Sequence, residues 1–169
     1  PCCRWVLSLT AAGMYPTPTD GCSAAAVFET TTNKVPNYVL DFSATAIRYA
    51  TGEAVFPPDW NGGTITATFF WMANDTTTNA VVWGIAGISF GDGDALDTAF
   101  GTAQEVTDAN ASTANQVRKS AATSAITLAG TPAAGEKVVV RVYRKATDAA
   151  DTLAVDARLL DVMLTFTRS

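Results

Sequence analysis

Large apolar residues alternate with threonine and charged residues at period two, in short runs between glycine and proline breaks, and this pattern restricts the chain to β-structure. In residues 64–72, "TITATFFWM", Ile65, Ala67, Phe69 and Trp71 share one face, while Thr64, Thr66 and Thr68 share the other until Phe70 and Met72 make that end apolar too. In 138–144, Val138, Val140 and Val142 oppose Val139, Arg141 and Tyr143; in 160–167, Leu160, Val162, Leu164 and Phe166 oppose Asp161, Met163, Thr165 and Thr167. Residues 24–30, 37–44, 46–51, 64–72, 80–90, 125–130, 136–146 and 158–168 read as strands, punctuated by Pro57 and Pro58, Gly62 and Gly63, Gly91 to Gly93, Pro132 and Gly135. Helix is confined to two candidates: 94–106, with Asp94 as N-cap, and 146–160, which reads better as a loop leading into the last strand. Residues 107–124 are polar, small and aperiodic, an exposed connection.

Many half-buried strands with little helix predict an antiparallel, jelly-roll-like β-sandwich. Pro16 and Pro18 disfavour regular pairing, so residues 1–23 are expected to form an N-terminal extended arm and linker, and residues 24–169 the sandwich domain. The opening "PCCRWVLSLTAAGM" has an apolar core of about five residues, below the range of a secretory signal. A start at Pro1 rather than Met is expected to reflect processing or residues upstream.

The 169 residues are of single-domain size, 48% of them hydrophobic and only 16% charged, so part of the surface is expected to meet another subunit. A net charge of −5 with scattered basic residues excludes the clustered cations that nucleic acid requires. No apolar run approaches the length of a membrane-spanning helix.

Histidine is absent, which removes the usual general base and the commonest transition-metal ligand, and with them Ser-His-Asp and Cys-His catalysis. No spacing singles out a carboxylate pair, so neither enzymatic activity nor a cofactor is expected. "GDGDALD", residues 91–97, sets Asp92, Asp94 and Asp97 within one turn-forming segment as weak metal candidates, although a tight turn after the strand accounts for them better. Among the tryptophans, Trp71 and Trp83 lie on apolar strand faces and read as core, whereas Trp60, between Pro58 and Gly62, reads as a turn residue and a candidate ligand contact. Cys2, Cys3 and Cys22 are all the cysteines; buried inert thiols, an intrachain bond from Cys22 to Cys2 or Cys3, and interchain disulfides stand as alternatives.

Over residues 38–167, the segments "VVWG", "GDGDALD", "AGTPAAGE", "VYR" and "DAADTLAVDARL" resemble β-sandwich structural proteins of tailed-bacteriophage virions. The resemblance implies a jelly-roll fold, no catalytic residues, a place on the particle surface, capsid or other virion proteins as partners, and a homotrimer. The function expected from it is a capsid decoration or cement subunit that stabilises the particle by protein-protein contacts. The alternative is a receptor- or carbohydrate-binding fibre module, with loops 57–63 and 107–124 forming a site in which Trp60 or Tyr49 stacks on sugar.

Overall fold

The computed structural model describes residues 4–167. Eleven strands run in the order β1 (Arg4–Thr10), β2 (Tyr15–Pro16), β3 (Ala26–Glu29), β4 (Pro36–Phe42), β5 (Arg48–Val55), β6 (Ile65–Ala73), β7 (Ala80–Phe90), β8 (Gln104–Ala109), β9 (Arg118–Lys119), β10 (Lys137–Arg144) and β11 (Ala157–Thr167). They form two antiparallel sheets: a six-stranded one ordered β3-β4-β11-β6-β9, with β1 also on β11, and a five-stranded one ordered β2-β5-β10-β7-β8. The chain is therefore the β-sandwich that its alternation predicts.

The apolar faces of β6, β7, β10 and β11 meet between the sheets. Trp83 is fully buried at the centre, stacked on Phe69 at 5.6 Å between centroids and met edge-on by Phe42 at 5.2 Å. Trp71 joins the same cluster, and its indole N–H donates to Asp108 Oδ2 at 2.8 Å, so a polar tip is satisfied at the rim of the core. Gly84 of β7 is required by packing: a Cβ there would stand 2.2 Å from Cζ of Tyr143, whose ring crosses the strand.

Residues 4–23 of the expected N-terminal arm are instead part of the sandwich. β1 pairs with β11 along its whole length, from Arg4 opposite Thr167 to Thr10 opposite Asp161. Leu9, Ala11, Met14 and Cys22 are buried in the core, and Leu7 packs against it. Pro16 does not prevent pairing because β2 lies at the edge of its sheet, where a missing N–H interrupts no ladder.

Three further expectations change. Residues 94–106 form no helix: a turn and an irregular segment lead into β8. Residues 125–130 form no strand but tie one sheet to the other, since Ile126 N donates to Ile65 O of β6 at 2.8 Å and Ala129 N to Gly87 O of β7 at 3.1 Å. Residues 107–124, expected as an exposed connection, contribute to β8 and β9 and then follow the β6 edge. There the hydroxyls of Ser120 and Thr123 accept from Phe69 N and Ala67 N, both at 3.0 Å, covering a strand edge that would otherwise present free amides.

Residues 145–156 are a loop, organised by one buried cation. Arg144 is fully buried and donates to Asp151 at 2.7 Å through Nη2 and 3.0 Å through Nε, to Val155 O at 2.7 Å, and to Leu153 O. Asp151 Oδ2 also accepts from Val82 N of β7 at 3.1 Å, and Thr152 N and Leu153 N donate to Ala80 O at 2.9 and 3.0 Å, so the loop is fastened along β7.

Candidate binding groove on the six-stranded sheet

Register places the outward side chains of four strands in line. Across β1, β11 and β6 run the rows Val6, Thr165, Thr66 and Ser8, Met163, Thr68; the next row is Thr10, Asp161, Phe70 and then Lys119 of β9. The threonine face of β6 thus lies on the outer side of this sheet, although Thr68 itself is buried, and Phe70 is the ring that interrupts it.

β11 carries an irregularity between Leu159 and Asp161, where its outer-edge partner changes from β4, opposite residues 157–159, to β1, opposite 161–167. The extra residue, Leu160, keeps Leu159 and Val162 both facing the core, which is why the alternation read from Leu160 onward is one residue out at its start. A groove of about 680 Å³ lies at this junction, walled by Val6, Ser8, Tyr38, Phe70, Asp161 and Met163 among others. Tyr38 is 53% exposed, and Val117, which also lines the groove, 62%, so both stand at its mouth.

Asp161 is the one carboxylate in the lining. Its Oδ2 accepts from the Ser8 hydroxyl at 2.5 Å, while Oδ1 is buried with no partner among the described residues. Lys119 Nζ lies 5.6 Å from the Phe70 ring centroid and brings a cation to the far side of the ring. An apolar floor with one orienting carboxylate and neighbouring hydroxyls suits a neutral ligand rich in C–H surface and O–H donors. A second carboxylate, which glycoside hydrolysis would require, is absent from this lining.

The residues singled out in the sequence lie elsewhere. Trp60 is not a turn-exposed platform: it is 8% exposed, stacked on Phe56 at 4.6 Å and met edge-on by Phe166, because the chain after Pro58 turns inward over the open end of the sandwich. In the 57–63 loop Trp60 is packed into the core, whereas the 107–124 segment supplies Val117 to the groove and sets Lys119 against the Phe70 ring. Tyr49 lies on the opposite sheet, beside Arg141. Asp94 closes the turn after β7, its Oδ2 accepting from Gly91 N at 2.8 Å, and no group of three or more potential ligands gathers around it, Asp92 or Asp97 among the described residues.

Cys2 and Cys3 lie outside the described residues. Cys22 is a free thiol buried at 8% exposure, donating to Ser23 O at 3.3 Å. Burial pushes this thiol up to about 12, with a smaller push from Asp41 and a backbone hydrogen bond acting against both. A thiol that keeps its proton is a poor partner for disulfide exchange. The folded state holds this proton between the ordinary thiol value of 9.0 and about 12, so the contribution of Cys22 to stability is complete below 9 and declines as pH rises through that window. Native protein treated with iodoacetamide at pH 8 is expected to leave the Cys22 peptide unmodified by mass spectrometry and to label it fully in denaturant; rapid native labelling would contradict the burial.

Ser8, Tyr38, Phe70, Lys119 and Asp161 were not singled out by sequence. Two signals pointed toward them: an aromatic residue breaking into a threonine face at Phe70, and a lone acid inside the apolar run "RLLDVMLTF" at Asp161.

No family model matches the chain, and no curated protein sequence matches it. Its fold is similar to those of solved carbohydrate-binding modules. The CBM22-1 and GH10 modules of an N-terminal endo-1,4-beta-D-xylanase from Clostridium thermocellum, complexed with xylohexaose, match with a TM-score of 0.51 and 12% identity; 94% of this chain is covered, and about a quarter of that one, 27%. A family 35 carbohydrate binding module from Clostridium thermocellum gives a TM-score of 0.49 at 8% identity, covering 95% of this chain and 97% of that one. A xylan-binding domain from Paenibacillus barcinonensis gives 0.49 at 14% identity, covering 95% and 99%.

Proposed function

We propose that the chain is a non-catalytic glycan-binding module whose site is the groove on the outer face of the six-stranded sheet. The observation that carries this reading is the row Thr10, Asp161, Phe70 and Lys119, with a buried, unpartnered carboxylate oxygen next to an aromatic ring in a groove of about 680 Å³. Phe70, Met163 and Val6 meet the C–H face of a sugar ring, and the Asp161 carboxylate, turning Oδ1 into the groove, accepts from a ring hydroxyl, which ends that oxygen's lack of a partner. The volume falls within the range of small-molecule sites. The β-sandwich fold is compatible with this use: it is shared with part of a chain made of CBM22-1 and GH10 modules that was solved in complex with xylohexaose.

Isothermal titration with oligosaccharides of xylan, mannan and cellulose tests the reading. At least one is expected to bind saturably, and Phe70→Ala and Asp161→Asn are each expected to weaken it about tenfold, the loss of one well-placed contact. Both positions are on the outer face, so the melting temperature is expected to hold. A chain that binds none of these sugars, or binds them equally well after both substitutions, overturns this reading. The virion-surface decoration role would then be the one to test, by the heat resistance of particles that lack the protein. The particle location and trimer implied by the resemblance belong to that role and are not required by glycan binding.

A further inference from the structure

On the outer face of the five-stranded sheet, the charges around Arg141 are paired. Glu53 takes Lys137 at 3.0 Å and the Tyr15 hydroxyl at 2.8 Å. Glu105 takes Lys145 at 2.9 Å and the Tyr143 hydroxyl at 2.8 Å. Asp20 takes Arg48 at 3.2 Å. Arg141 makes no ion pair or hydrogen bond among the described residues, and its Nε is buried without a partner. The donors of this guanidinium are unspent.

Arg141 is also held in place. Its guanidinium carbon lies 4.7 Å from the Tyr49 ring centroid and 4.7 Å from that of Phe100, so rings from β5 and from the loop after β7 flank the group. Such contacts fix the plane of the fork and strip part of its hydration without using its N–H groups. A cleft of about 350 Å³ opens beside it, lined by Thr17, Pro18, Thr19, Asp20, Tyr49 and Arg141. The wall formed by residues 17–20 is pinned to the backbone of Tyr49: Thr17 N donates to Tyr49 O at 3.3 Å, and Tyr49 N donates to Asp20 O at 2.9 Å. Little ordering is left for a ligand to impose.

We infer that this cleft is a second binding site, on the sheet opposite the groove, and that it takes a hydroxylated carboxylate of monosaccharide size gripped by the Arg141 fork. A planar carboxylate matches two parallel N–H donors. Asp20 narrows the choice: its carboxylate, held by Arg48, accepts from a ligand hydroxyl but repels a doubly charged phosphate. The inference is independent of the glycan reading of the groove, because none of the groove residues named above lines this cleft.

The probe is sodium methyl β-D-glucuronide titrated into the 15N-labelled chain, with methyl β-D-glucoside and sodium acetate in parallel at matched ionic strength. The glucuronide is expected to shift the Arg141 Nε–H resonance saturably, and the glucoside is expected to leave it in place. Arg141→Lys, which keeps the charge and loses the fork, is expected to weaken binding about tenfold with the melting temperature unchanged. Phe70→Ala is expected to leave this titration untouched even where it abolishes binding in the groove. A response to glucuronide and not to acetate supports the inference, whereas an equal response to acetate means that hydroxyls and Asp20 play no part and overturns it. No Arg141 shift with either carboxylate, an equal shift with the glucoside, or undiminished affinity in Arg141→Lys overturns the inference.

Discussion

Asp151→Ala is expected to lower the unfolding free energy by about 3–5 kcal/mol, the cost of leaving a buried charge without its partner. For a chain of this length that corresponds to a fall in melting temperature of roughly 10 °C. The physical reason is the position of Arg144, which is fully buried and whose counter-charge within the core is Asp151, itself 1% exposed in its side chain. Removing the carboxylate also frees Val82 N of β7, a buried strand amide, so the loss reaches the sheet as well as the loop. The carbonyls of Val155 and Leu153 would still accept from the guanidinium, but neutral acceptors do not cancel its charge. Replacing both partners, as Arg144→Met with Asp151→Leu, is expected to recover much of the loss, because two apolar side chains leave nothing unpaired. A single Asp151→Ala variant melting within about 2 °C of the parent would mean that water reaches this pair, contrary to its burial.

Trp60→Ala is expected to cost about 3–5 kcal/mol, the range for deleting a large buried aromatic side chain. The ring lies nearly parallel to Phe56, 14° from coplanar, and Phe56 in turn meets Phe166 of β11 edge-on at 5.6 Å, so the indole closes one end of the core. Its Nε1 is buried with no partner among the described residues, hence Trp60→Phe gives up little polar interaction and keeps one stacked ring, and is expected to cost less than Trp60→Ala, the difference being the smaller cavity. Urea unfolding measures both, and glycan affinity measured well below the melting temperature is expected to stay within about twofold of the parent. Lost binding with unchanged stability would reverse the assignment and make Trp60 the ligand platform.

The sequence and the structure agree where one strand carries the whole signal. Residues 64–72 and 138–144 alternate because each lies in a sheet with one face inward, and that pattern is local. The disagreements are non-local. Pro16 reads as a breaker until β2 is known to be an edge strand, and edge status depends on the fold of the whole sheet. The alternation of β11 is misread at its start because a bulge inserts Leu160, and bulges are placed by partner strands. Trp60 looks exposed between turn residues because nothing nearby in sequence reveals that Phe56 and Phe166 cover it. The groove was the least legible part: Thr10, Phe70, Lys119 and Asp161 are dispersed along the chain and become one row only through three strand registers.

The place of β11 has a consequence for biosynthesis. It is an inner strand of the six-stranded sheet, with β6 on one edge and both β4 and β1 on the other, yet it follows all of them in the chain. While the polypeptide leaves the ribosome, β1, β4 and β6 wait without their common partner until residues 157–167 have been made. The nascent chain therefore cannot complete this sheet before residues 157–167 emerge, and Phe69 and Trp71 of β6 lack their β11 partners until then. Pairings this distant in sequence are slow to form, on the scale of milliseconds to seconds. Completion of this sheet waits on β11, and until that strand emerges the edges of β1, β4 and β6 are open to pairing with neighbouring chains.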